Sequence, residues 1–170
     1  MKATYLHRAA LVLAIALCAT AALSANAANV ISVKEKVELS VPPAKAWEII
    51  KDFDSWQTWH PALASDEITS GKGNTRGTVR VLTTKDGAKI TEQLVHYQPK
   101  AFSYTYKIND SPLPVTDYVS TLQVKASKSG SVVSWVSHFR AKEGTPDEEA
   151  AKVIRGIYRA GLDNLKEKTK

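Results

Sequence analysis

The contrast between the middle of this chain and its end is what most constrains its fold. From Gly77 to Ala141, five stretches carry β-branched or aromatic residues on alternate positions: "GTVRVLTT", "AKITEQLVHY", "AFSYTYKI", "TDYVSTLQVKA" and "SVVSWVSHFRA". That period of two predicts strands, with "TKDGAK" and "SKSGS" as hairpin turns. The pattern then switches to helical spacing, where Ile154, Ile157, Tyr158, Gly161, Leu162 and Leu165 form one apolar stripe. Thr145-Pro146-Asp147-Glu148 predicts the start, with an N-cap, a proline at the first helical position and an acid three residues on. The helix is expected to reach about Lys168, with Lys166, Lys168 and Lys170 at its negative end. Upstream, "VISVKEKVEL" alternates as a strand, and "PPAKAWEIIKDF" spaces Trp47, Ile50 and Phe53 as a short helix. The expected class is α+β, a curved antiparallel sheet of about seven strands wrapped around a long C-terminal helix.

The first residues read as an address. "MKATYLHR" is basic, "AALVLAIALCATAAL" is apolar, and "SANA" offers small side chains for cleavage, so residues 1–27 are expected to be a removed signal peptide. The apolar run is shorter than the ~20 residues of a membrane span, so no membrane anchor is expected after cleavage. Leu17, before Cys18, argues against lipid attachment. Removing 27 of 170 residues leaves 143, enough for one domain over 28–170 and too few for two. The single cysteine and the single methionine both fall in the leader, so the expected mature chain has no disulfide, thiolate nucleophile or thiolate-held cofactor. An exported chain without disulfides suits a periplasm.

Several functions can be set aside. No Gly-rich phosphate loop follows a strand, no Gly-x-Ser-x-Gly elbow is present, and the basic residues are scattered, which excludes nucleotide chemistry and nucleic-acid binding. His96 and His138 lie on predicted strands without a second ligand at metal spacing, so neither a metal nor any other cofactor is expected.

The order of elements, together with "VELSVPPAKAWEIIKDFDSWQTWHP", "GTVRVL", "TEQL" and "GLDNL", resembles the START-like, or SRPBCC, superfamily over the whole mature chain. That resemblance implies a helix-grip fold with a hydrophobic cavity between sheet and long helix. Within the superfamily, the abscisic-acid receptors can be followed residue by residue. Phe53-Asp54 to Gln57-Thr58-Trp59-His60 resembles their "FD…QTY-Lys" segment and puts His60 where they hold a cavity lysine. "TEQL" resembles their "TERL" and makes Glu92 a cavity residue; "DYVS" resembles "NYKS" and does the same for Tyr118. Their ligand-facing acid falls on Trp135, and "TTKDG" stands where they carry an "SGLPA" gate, so hormone recognition is not implied.

Strand alternation extends this inner face. Leu94 follows Glu92 inward, Tyr104 and Tyr106 line up on their strand, and Val79 with Val81 on theirs. The candidate ligand cavity is therefore His60, Glu92, Tyr118, Trp135, Tyr104, Tyr106, Val81 and Leu94, mostly apolar with few polar points. Each has an ordinary alternative: a filled core, a loop-capping His60, a solvent-facing Glu92 one register off, a buried phenol at Tyr118. "DFDSWQTWHPAL" carries Trp56 and Trp59, either a lid over the pocket or surface anchors for a partner.

Three functions follow. The first is a non-catalytic periplasmic protein. Its leader, its size and "FDSWQTWHPAL" are similar to MxaD-type accessory proteins, which implies a role between methanol dehydrogenase and cytochrome c. The second is a carrier or sensor of an apolar or amphipathic small molecule. The third is a cyclase-like enzyme with Glu92 as base and Tyr118 or His60 as acid.

Overall fold

The computed structural model describes residues 29–170; the expected leader, residues 1–27, lies outside them. In β1 (Ile31–Leu39) the alternation is realised directly: Val33, Val37 and Leu39 are buried, while Ser32, Lys34, Lys36 and Glu38 are exposed. Pro43 opens α1 (Pro43–Ile50), where a missing N–H costs nothing, and the helix buries Ala46, Trp47 and Ile50. It stops at Ile50, three residues before the expected end, and a 3-10 turn, Trp56–Thr58, follows.

Seven strands form one sheet. β2 (Leu63–Ser70), β3 (Val79–Thr84), β4 (Lys89–Gln98), β5 (Ser103–Asp110), β6 (Val115–Ser127) and β7 (Gly130–Ala141) run as an antiparallel meander, and β1 closes the order by pairing with β7, Val37 opposite Val133. Both expected hairpin turns are present, between β3 and β4 and between β6 and β7. At the second, Gly130 has φ 138° and passes so close to β1 that a Cβ would lie 2.6 Å from the Leu39 carbonyl oxygen, which only glycine accommodates.

β2 has no counterpart among the strands expected from the sequence. Register shifts between Leu63 and Ser65 and between Ile68 and Ser70 break its alternation, and its most buried central residue is an acid, Asp66. A second irregularity sits between Thr116 and Val119, where Asp117 adopts φ 52°. Asp tolerates this left-handed conformation, and the bulge resets the phase of β6 so that Tyr118 and then Ser120, Leu122 and Val124 are buried.

The last helix, α2 (Asp147–Lys168), lies across the concave face against β1 and β7 and buries Ile154, Tyr158, Gly161, Leu162 and Leu165. Its N-cap is Pro146 without any side-chain cap, so the expected Thr145 cap does not form. Asp147, Glu148 and Glu149 in the first turn and Lys166 and Lys168 in the last complement its dipole. Among the described residues no helix is long and apolar enough to cross a membrane. The sheet wraps the helix in the helix-grip arrangement.

Candidate functional site

Between the sheet and α2 lies a cavity of about 100 Å³. Its deep wall is aromatic and polar, formed by Trp56, Glu92, Tyr106, Tyr118, Trp135 and Tyr158. Half-exposed Thr84, Ile108, Leu113 and Ile157, with exposed Ala62, mark the outer end. A wider depression of about 540 Å³ between the ends of β5 and β6 is open, and its walls are largely exposed polar side chains such as Lys107, Asn109 and Asp117.

Of the residues expected in the cavity, His60, Glu92, Tyr106, Tyr118 and Trp135 line it. Tyr104 and Leu94 are buried but sit outside the cavity; Tyr104 packs against Trp47, Phe53 and Tyr97. Val81 is a correction. β3 places Arg80 directly opposite Glu92, so the inward residues are Arg80 and Leu82, and Val81 faces the other side of the sheet opposite Thr91. The partner-contact alternative for Trp56 and Trp59 is a second correction: at 3 % and 1 % exposure they are core side chains and offer no surface to a partner, and Trp56 instead lines the cavity.

The tryptophan segment is pinned on three sides. The Trp56 amide donates to Asp66 Oδ2 at 3.1 Å, the Trp56 indole N–H donates to the Tyr104 hydroxyl at 2.8 Å, and Asn164 of α2 donates to the Trp59 carbonyl at 2.7 Å. His60 Nε2 lies 3.0 Å from the Ile157 carbonyl, and the Ala62 amide donates to Nδ1 at 3.3 Å. A carbonyl only accepts, so the ring is the neutral Nε2–H tautomer with both nitrogens engaged. Burial holds its pKa below the ordinary value, against the Ile157 carbonyl and with the help of Arg80. Gly161 makes this approach of helix and ring possible, because a Cβ there would lie 2.6 Å from His60 Cδ2 and 3.1 Å from the Trp135 ring.

Behind the cavity is an ion cluster that the sequence reading did not contain. Arg80 is fully buried, donates to Glu92 Oε2 through Nε at 2.9 Å and Nη2 at 2.6 Å, and reaches Asp66 Oδ2 through Nη1 at 3.1 Å. The same Nη1 donates to the Phe53 carbonyl. The rings of Phe53 and Trp56 lie 4.1 and 3.9 Å from the guanidinium carbon. Burial works against the charge on Arg80, but Glu92 and Asp66 offset it and its pKa is raised. Burial also pushes the Glu92 carboxyl up, with Arg80 opposing.

Asp66 is the weaker partner: burial pushes its carboxyl up to about 6 against the pull of Arg80 and the Trp56 amide, and its Oδ1 is enclosed with no hydrogen bond. In the unfolded chain the same carboxyl titrates near 3.8. The folded state therefore binds this proton first, and the stabilisation is fully present below about pH 3.8 and lost as pH rises through about 6. Its ceiling is about 3 kcal/mol at 1.36 kcal/mol per unit. Urea unfolding from pH 4 to 7.5 is expected to show Asp66→Asn gaining stability relative to the parent chain as pH rises; parallel curves would contradict it.

A second network closes the other end of the wall. The Ser120 hydroxyl donates to the Val136 carbonyl at 3.0 Å, so Ser120 Oγ accepts from Tyr158 at 2.9 Å and from the Trp135 indole N–H at 3.1 Å. Tyr158, having donated, accepts from Tyr118. Trp135 Nε1 also reaches the Tyr106 hydroxyl at 2.9 Å. Burial pushes the phenols of Tyr106, Tyr118 and Tyr158 well above their ordinary pKa. All three stay protonated at neutral pH.

The sequence model of the family described as "Polyketide cyclase / dehydrase and lipid transport" matches residues 30–170. The chain belongs to that family. Among solved structures of similar proteins, XoxI from Bacillus cereus is 36% identical, is aligned over 81% of this chain and 94% of its own, and has a TM-score of 0.75. An uncharacterized protein from Bacillus thuringiensis is 35% identical over 82% and 98%, again with a TM-score of 0.75. Ara h 8.0201, at 20% identity over 83% and 98% and a TM-score of 0.68, shares the fold. For this member of the cyclase and lipid-transport family, the cavity under α2 is thus a feature of a fold built to hold ligands.

Arg80, Asp66, Ser120 and Tyr158 are the site residues that sequence reasoning missed. One signal for Arg80 was present. A hairpin centred on Asp86 sets Arg80 opposite Glu92, and residues directly opposite share a face.

Proposed function

We propose that this chain is an exported, non-catalytic binding protein that takes up a small, largely apolar molecule beneath α2. The observation that carries the reading is the cavity of about 100 Å³, lined mostly by apolar and aromatic side chains, whose polar groups are for the most part bonded to one another. Glu92, the candidate base, is tied to Arg80; His60 has both ring nitrogens engaged; Tyr118 donates within its own cluster. Acid–base turnover pairs a base with an acid, and neither candidate acid, His60 or Tyr118, has a proton free to give. An apolar cavity of ~150 Å³ accommodates benzene, so this one suits roughly four to six heavy atoms.

An accessory role between methanol dehydrogenase and cytochrome c in the periplasm rests on the similarity of the leader and the tryptophan segment to MxaD-type proteins. With Trp56 and Trp59 in the core, such docking would use another face.

The test is a panel of four- to six-heavy-atom apolar and amphipathic molecules, read by melting temperature and by the indole N–H signals of Trp56 and Trp135. A ligand at a hundred times its Kd is expected to stabilise the fold by ~2.7 kcal/mol. No shift of either signal across the panel would overturn the reading.

A further inference from the structure

We infer that the cavity selects a small neutral molecule carrying one hydroxyl or N–H donor, and that this donor binds Glu92 Oε1. The inference rests on the cavity reading above and adds the ligand's chemical class. Its basis is a census of donors and acceptors along the cavity wall.

Every side-chain donor on the wall but the Tyr106 hydroxyl, which itself accepts from Trp135, has an acceptor. Trp56 Nε1 donates to Tyr104, Trp135 Nε1 to Tyr106 and Ser120, and His60 Nε2 to the Ile157 carbonyl. Thr84 Oγ1 donates at Asp86 and the Ala88 carbonyl. The hydroxyl relay from Tyr118 through Tyr158 to Ser120 ends on a backbone carbonyl, and the Tyr106 hydroxyl lies beside Ser120 and Tyr118. The two unpartnered buried donors among the described residues, Trp59 Nε1 and Ser137 Oγ, do not line the cavity.

One acceptor is left over. Both Arg80 bonds to Glu92 fall on Oε2. Both bonds come from the buried guanidinium and leave the second carboxyl oxygen without a partner. Oε1 takes no hydrogen bond among the described residues and is not one of the sealed polar atoms, so it is reachable from the cavity that Glu92 lines. A ligand that leaves this oxygen dry and unpaired loses binding energy, whereas one that donates to it regains a charge-assisted bond. An anion is disfavoured on two counts. It would lie beside Glu92, and the one buried cation among the described residues, Arg80, has its carboxylate-binding edge filled and the rings of Phe53 and Trp56 packed against its guanidinium.

The experiment compares butan-1-ol, 1-chlorobutane and butyrate on the mature chain at pH 7.5, by NMR titration of the Trp56 and Trp135 indole signals. These probes are close in size and differ in what they offer Oε1. Transfer from water alone ranks 1-chlorobutane ahead of butan-1-ol. The inference expects the reverse, with butan-1-ol at least about tenfold tighter than either other probe, which is one charge-assisted hydrogen bond. Equal or tighter binding of 1-chlorobutane would overturn the donor inference and leave the apolar cavity standing. Butyrate binding as tightly as butan-1-ol would overturn it through the charge argument. Failure of all three probes to bind would remove the cavity reading, and this inference with it.

Discussion

Arg80→Met is expected to destabilise the folded chain by about 3–5 kcal/mol, as removing one member of a buried ion cluster does. Arg80 has no exposed surface, and Glu92 and Asp66 face it with side chains 5 % and 0 % exposed. Without the guanidinium, Glu92 and Asp66 are left beside each other with no countercharge, and the rings of Phe53 and Trp56 lose the group they pack against. The cost comes from the orphaned acids rather than from the lost attraction alone. Most of it is therefore expected to return in the triple variant Arg80→Met, Glu92→Gln, Asp66→Asn, where no charge remains. Urea unfolding followed by tryptophan fluorescence measures both. A single variant within 1 kcal/mol of the parent chain would mean that water reaches the cluster and screens it.

Trp56→Ala is expected to cost a further large amount, about 3–5 kcal/mol, the usual range for emptying a buried aromatic site. The ring stands edge-on to Trp135 at 5.0 Å and to Tyr106 at 5.3 Å, covers Arg80, and gives its N–H to Tyr104. It also forms part of the cavity wall, so the same change should enlarge the cavity and relax its preference for small ligands. A surface anchor behaves differently: truncating it weakens a partner's binding and leaves unfolding almost unchanged. Thermal unfolding of Trp56→Ala with a Tm close to the parent chain would restore the docking role of "DFDSWQTWHPAL", and a steep fall keeps the segment in the core.

These two variants mark where the sequence was legible and where it was not. Alternation on β1 and β7, the switch to a 3.6-residue period in α2, and the hairpin turns are local patterns, readable from residue order because burial of one face dictates them. Six of the seven strands and the terminal helix follow from them. The tryptophan segment carried no such period, and its burial depends on Asp66, Asn164 and the Ile157 carbonyl, groups between 10 and 105 residues away. Nothing local distinguishes an exposed aromatic cluster from a buried one.

β2 was unreadable for a related reason. Two bulges interrupt its alternation, and its buried centre is an acid whose partner lies on another strand. Local polarity there points to solvent, and only the position of Arg80 reverses that. β3 was misread through its valines. Val79 and Val81 look like the inner face by hydrophobicity, yet pairing across the turn sets Arg80 with Glu92, so the charged residue goes in and the valines go to the outer side. By itself, then, the sequence determined the strands with clean alternation, the long helix and the grip between them, because those follow from period and burial. Which polar groups enter the interior, and whether any space remains beside them, was decided only in the tertiary structure, where charges distant along the chain neutralise one another.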